Sequence, residues 1–349
     1  MKTRIPVWNK TLYAERLPVL KQRAKIIETV RRFFTDRGFL EVETPILQVS
    51  PGLEPHLKAF KTELVEPLGQ ADRTMYLHTS PEFTMKKLLA AGLPKIFQMA
   101  RVFRNEERSD RHHPEFIMLE WYRAGDDYRV LMDETADLVR ACAAACDKKV
   151  LKVEGREYDP FSDWERLSVV DAFKKYADID LFSVLPSEPS LEPDPRPFAK
   201  EAERIGIRTS AEDRWDDVFF RIAFEKIEPH LGEHRPTILY DYPVCMAALS
   251  RRKPSDPRLA ERFEVYVGGM ELANAFSELT DAREQRQRFE HDMDLKEKLY
   301  GERYPIDEDF IDAVAHMPEC TGIAVGIDRL VMAVTGAQRI EDVQWMPVA

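Results

Sequence analysis

Leu20, Ala24, Ile27, Val30, Phe33 and Phe34 recur at helical spacing, which predicts an amphipathic helix over residues 18–37 with Gly38 as its C-cap. A strand follows and runs into Pro45. Ser80 before Pro81 is the pattern of an N-cap with proline at the first helical position, so a second helix extends to Ala91 and stops at Gly92. Residues 96–104 and 115–123 are β-compatible runs separated by a charged, histidine-bearing stretch, the pattern of a hairpin with a long polar loop.

The character changes over residues 148–235, where a short hairpin around Gly155 leads into helical patches and five prolines crowd residues 186–197. Those prolines forbid a continuous helix or central strand and predict an exposed, mobile linker inside an insertion. Strand-like runs resume at 237–240, 245–249 and 263–267, then a charged helix at 281–299 and a glycine-rich strand-to-helix passage at 322–334. Strands from two separated halves, without regular strand–helix alternation, favour an α+β fold with a mostly antiparallel sheet.

Composition narrows the class. The 349 residues are 44% hydrophobic and 32% charged, as in soluble globular proteins. Lys and Arg number 51 against 62 Asp and Glu, a net charge of −11 that disfavours general binding to nucleic acid. Cys142, Cys146, Cys245 and Cys320 lack C-x-x-C spacing and read as reduced thiols. The start carries no apolar leader and no run approaches the ~20 residues that span a bilayer, so the expected location is cytoplasmic, away from the membrane.

Three stretches could carry chemistry. In the first, Arg104, Asn105, Glu106, Arg108, Arg111, His112, His113 and Phe116 combine cations, polar groups and an aromatic face, as a nucleoside triphosphate requires; a solvated hairpin tip is the plain alternative. In the second, Glu271 and Glu278 flank an apolar run and would suit magnesium bridging to phosphates, or could be surface glutamates flanking a strand. The third, Gly322 to Leu330, brings Arg329 to a helix N-terminus, an arrangement that taken alone is mostly packing. A phosphate loop, a nucleophile elbow and an H-E-x-x-H pair are all missing from the sequence.

In this order the stretches resemble the class II aminoacyl-tRNA synthetases. Residues 39–47 with Pro45 resemble motif 1, residues 97–122 motif 2, and residues 322–330 motif 3. Ser80-Pro81-Glu82, Glu120-Trp121-Tyr122 and Glu271-Leu272-Ala273-Asn274 are similar to the lysyl branch. Two departures redirect the expectation. The motif 1 helix is expected near residue 18, leaving no room for the branch's N-terminal OB-fold, and Ala324 stands where lysyl-tRNA synthetases have glycine and elongation factor P lysine ligases have alanine. His113 replaces the usual asparagine of motif 2, and Ala275 the usual glycine between Asn274 and Phe276.

The resemblance therefore implies one synthetase-like catalytic domain over 1–349, elaborated at about 148–235, that uses ATP and Mg2+ to adenylate (R)-β-lysine or lysine and loads elongation factor P, as a homodimer. It implies Arg104 on the α-phosphate, Glu106 on the adenine edge, Phe116 and Arg329 around the ring, and Arg111 and His112 near the terminal phosphates. Asn105, His113, Leu272 and Gly326 complete that ATP site, with Glu271 and Glu278 on magnesium. Ser80, Pro81, Glu82, Glu120, Tyr122, Ala324 and Glu278 would form the amino-acid pocket. The competing readings are a truncated lysyl-tRNA synthetase, disfavoured by the acidic balance, and a regulatory paralogue without catalysis.

Overall fold

The computed structural model describes residues 6–67, 71–247 and 249–348; the first five residues of the stretch read for targeting lie outside these. Helix α1, Lys10–Thr35, begins earlier than its apolar period because Asn9 caps it: the Asn9 side chain accepts from the amides of Thr11 and Leu12. Pro18 sits inside this helix, a position that masks the first turns in the sequence pattern. The amide of Phe39 closes back on the carbonyl of Phe34, and Gly38 takes a φ of 76° to make that turn.

The large sheet has eight strands, numbered here in chain order: β1 (Leu40–Glu41), β2 (Lys95–Phe103), β3 (Glu115–Ala124), β4 (Glu165–Ser168), β5 (Thr237–Pro243), β6 (Leu259–Val267), β7 (Met270–Ser277) and β8 (Cys320–Gly326). Their spatial order is β1-β2-β3-β8-β7-β6-β5-β4, antiparallel except for the parallel pairs at the two edges. The α+β fold and the expected 96–123 hairpin are present, the latter as β2 paired with β3.

Alternation sorts the two faces. Leu119 and Trp121, Ala273 and Ala275, Ile323 and Val325 point into the main core against α1, α3 (Tyr128–Ala145) and α9 (Ile327–Thr335). Their neighbours Glu120, Tyr122, Asn274, Phe276, Gly322 and Ala324 line a cavity on the opposite face. Helices α2 (Glu82–Ala90), α7 (Ala282–Tyr300) and α8 (Glu308–His316) wall that side through Phe83, Phe289 and Phe310.

The region after β4 builds a core of its own. Phe173 of α4 (Val169–Ala177), Phe198 of α5 (Arg196–Arg204) and Trp215 and Phe219 of α6 (Trp215–Ile222) pack together and reach the sheet edge through Leu239, Tyr242 and Tyr266. Two expectations are corrected here. The proline-rich segment is no plain exposed linker: Pro193 is buried and Pro195 leads into α5. Among the described residues of 245–249 no strand forms; Val244–Met246 is a single 3-10 turn closed by the Ala247 amide on the Val244 carbonyl, because a short apolar run fits a buried turn as well as a strand.

Phe34 lies 4.9 Å from both Phe97 and Trp121, joining α1 to β2 and β3. Phe34→Ala is expected to lower stability by about 3–5 kcal/mol, read from the urea midpoint at unchanged slope.

Candidate active site

The cavity holds about 430 Å³ and has two chemically distinct ends. One is rich in guanidinium groups. Arg329 donates from Nη1 to the Glu271 carbonyl at 2.9 Å, contacts His112 Nε2 at 2.8 Å from Nη2, and lies 3.6 Å from the Glu271 carboxylate. Arg104 stands 5.4 Å over the Phe116 ring, and its buried Nε has no hydrogen-bond partner. His113 is buried, with Nδ1 on the Glu115 carbonyl at 2.7 Å and Nε2 unpartnered. Such orphaned polar atoms along one wall are groups left for a polar ligand.

A β-bulge decides what faces this end. Val265 pairs with Ala273 and Tyr266 with Glu271, so Leu272 is the extra residue on β7. Without it the odd spacing would turn Glu271 away from Asn274 and Phe276; with it all three share the cavity face. Burial, and then the neighbouring Glu264, pushes the Glu271 carboxyl up to about 6. Glu264 itself is held by Arg262 at 2.7 Å and by the hydroxyls of Tyr242 and Tyr266 at 2.7 and 2.5 Å.

The other end is acidic and dry. Lys86, 1% exposed, bridges Glu82 and Glu278 at 2.5 Å each. Ser80 and Tyr122 donate to the two oxygens of Glu120 at 2.6 and 2.8 Å. The Ser80 hydroxyl also accepts the amide of Glu82, but the helix starts one residue later than its sequence indicated: Pro81 takes the N-cap position and Ser80 precedes it. Three buried carboxyl groups thus lie at this end with one ammonium, which contacts two of them directly. Burial, then Glu82, raises Glu120 to about 8; burial, offset by Lys86 and reinforced by Glu82, raises Glu278 to about 8. Gly322 is required beneath them, because a Cβ there would overlap both Glu278 and the Tyr122 ring. Ala324 lies in register between Glu120 and Asn274, in the middle of the floor.

A match to the family described as tRNA synthetases class II (D, K and N) spans residues 10–349. The chain belongs to this family. Among curated relatives, the elongation factor P–(R)-β-lysine ligase of Yersinia enterocolitica serotype O:8 is 43% identical over 331 residues, 94% of each chain. The protein of the same name from Proteus mirabilis is 43% identical over 331 residues, again 94% of each. That from Salmonella arizonae is 43% identical over 329 residues, 94% of each.

The class II residues inferred from sequence converge with three exceptions. Arg104, Arg111, His112, His113, Phe116, Glu271, Leu272, Gly326 and Arg329 line the cavity, as do Ser80, Glu82, Glu120, Tyr122 and Ala324. Pro81 opens α2 behind Ser80. Asn105 and Glu106 stay at its rim: Glu106 adopts a left-handed φ of 65° and pairs with Lys58 at 2.9 Å, while Glu107 lines the wall instead.

The third exception is the magnesium pair. Seven residues of strand less one bulge separate Glu271 from Glu278 by about 20 Å, so no single ion can join them. Glu278 contacts Lys86 at the acidic end, and the carboxylate that acts most strongly on Glu271 is Glu264 of the adjacent strand. Sequence reasoning missed Glu264, Arg262, Glu107 and Lys86. Arg262, Glu264 and Tyr266 do alternate with the apolar Phe263, Val265 and Val267, which marks them as one non-core face.

A carboxyl that keeps its proton up to about pH 8 must release it when an ammonium is bound beside it. Binding of an amino acid with two ammonium groups at pH 7 is therefore expected to release protons and to tighten as pH rises from 6 to 8. Calorimetry in buffers of different ionisation enthalpy checks both.

Proposed function

We propose that this chain activates (R)-β-lysine with ATP and transfers it to a lysine side chain of elongation factor P. The observation that carries this is the two-ended cavity: guanidiniums with an aromatic face at one end, an excess of buried carboxylate at the other. The names of the relatives, aligned over 94% of the chain, support the same reading. Phe116 and Arg329 flank the adenine, while Arg104, Arg111 and His112 take the phosphates. Glu82, Glu120, Tyr122 and Glu278 receive the two ammonium groups, with Ser80 orienting Glu120.

The carboxylate of the amino acid is already ionised, so it attacks the α-phosphorus without a general base, and the bond to pyrophosphate breaks. Arg104 stabilises the charge that gathers on the α-phosphoryl oxygens. In the second step the acceptor's neutral amine attacks the acyl carbon, the bond to AMP breaks, and the amine loses its proton. Magnesium binds chiefly through phosphates and water with one or two carboxylates; Glu271 on the cavity wall would be its protein ligand here, since Glu264 is committed to Arg262, Tyr242 and Tyr266, and the ion would neutralise phosphate charge.

The same reading places the reaction in the cytoplasm, with all four cysteines free. Among the described residues no helix is long and apolar enough to cross a membrane. Leu40, Ile46, Leu47 and Val49, exposed along the motif 1 segment, are the surface a second copy would cover in the homodimer.

Pyrophosphate exchange with (R)-β-lysine and with α-lysine, followed by transfer to elongation factor P and to tRNA, tests the proposal. Preference for the β isomer and a mass increase on elongation factor P are expected; α-lysine preference with tRNA acylation would overturn it. Ala324→Gly removes one methyl from the floor and is expected to move the isomer preference toward α-lysine by about tenfold. Arg104→Ala is expected to slow exchange about a hundredfold or more, with little change in the KM for the amino acid.

A further inference from the structure

A second cavity of about 810 Å³ adjoins the first and shares Pro55, Phe220 and Arg262 with it. Its walls come from the proline-rich segment, α6 and α7. Carboxylates dominate its charge, among them Asp213, Asp216, Asp292 and Asp294, against Arg214, Arg262 and Lys298. Arg214 and Arg262 are committed to Asp216 at 2.5 Å and Glu264 at 2.7 Å. Asp292 differs from the other acids: among the described residues it has no hydrogen-bond or ion-pair partner. Burial, then the nearby Glu54, holds its carboxyl up to about 7. A carboxyl so placed gains most from an incoming cation.

Phe220, which lines both cavities, adds an apolar anchor, and Phe224 follows it on the same segment. Phe220 and Phe224 are 52% and 72% exposed, four residues apart where α6 continues into a π-turn at Ala223–Ile227. Wide-turn segments of this kind are rare and concentrate at functional sites. Exposed aromatic side chains beside a charged recess are the usual centre of a protein–protein contact.

We infer that this second cavity is the docking site of the protein acceptor, its lysine-bearing segment lying on Phe220 and Phe224 and passing Asp292 on the way to the adenylate. The occupant is set by continuity with the reaction cavity and by charge: a cationic side chain presented by a folded partner suits these walls, whereas an anionic RNA end does not. The insertion then serves to hold the acceptor, which explains why a second core is built at the sheet edge beside the cavity. The inference rests on the function proposed above and names the place where its second substrate binds.

The test separates the two steps. Full-length Asp292→Asn and Phe224→Ser proteins are assayed for pyrophosphate exchange with (R)-β-lysine and for transfer to elongation factor P. Each is expected to raise the KM for the acceptor at least about tenfold, while exchange stays within about twofold of wild type. Asp292→Glu is expected to recover most of the loss. Unchanged acceptor KM in both variants, with normal wild-type transfer, would overturn the docking site alone; so would an equal fall in exchange, which would assign the residues to adenylation or to folding. A wild-type protein that exchanges pyrophosphate but loads no elongation factor P would overturn the docking site together with the function on which it rests.

Discussion

Cross-strand register is the constraint on which the site depends. Three neighbouring strands set Glu120, Ala324 and Asn274 in one row, and every second residue of each strand enters the cavity while the others enter the core. A slip of one residue in β3 would turn the Glu120 carboxylate into the core beside Ile323 and Ala275, and one in β7 would turn Asn274 there. The bulge at Leu272 is part of the same constraint, since it alone returns Glu271 to the row. The link between Arg23 of α1 and Asp328 of α9, 2.8 Å and buried, fixes the guanidinium-rich end: Asp328 also accepts the Ile117 amide at 2.8 Å.

The acidic end obeys a charge balance. Lys86 is raised further above its ordinary range by Glu278 and Glu82 than burial lowers it, so it stays ionised and meets one of the negative charges around it. Protons on Glu120 and Glu278 supply the remainder near neutrality, and on the function proposed above a dicationic amino acid would replace those protons. Selection for two ammonium groups therefore arises from a deficit of positive charge. A neutral side chain of equal size would leave the carboxyls desolvated and unmatched.

Much of this was legible in the sequence because its signals are local. The 96–123 hairpin, the start of α2 just after Ser80-Pro81 and the placing of Arg329 at the head of α9 are set by contiguous residues and by turn chemistry. What escaped depends on pairing between distant strands. Glu278 looked like a partner of Glu271 because the two lie in one apolar run, but distance along a strand grows by about 3.3 Å per residue and the nearer carboxylate lies on the next strand. Lys86, four residues after Glu82, has the spacing of an ordinary exposed helical ion pair; only the packing of α2 on the sheet shows it buried. The turn at 244–246 imitates a strand because its apolar side chains are buried in either conformation.

Arg329 is already engaged, with its guanidinium shared among the Glu271 carbonyl and carboxylate and the His112 ring. These contacts run from the edge of the guanidinium, so its face stays open to a flat aromatic ring while the edge remains engaged. The charged hairpin loop and the helix bearing Arg329 are thereby fastened to each other, so the loop's shape and the placing of that cation are one and the same requirement.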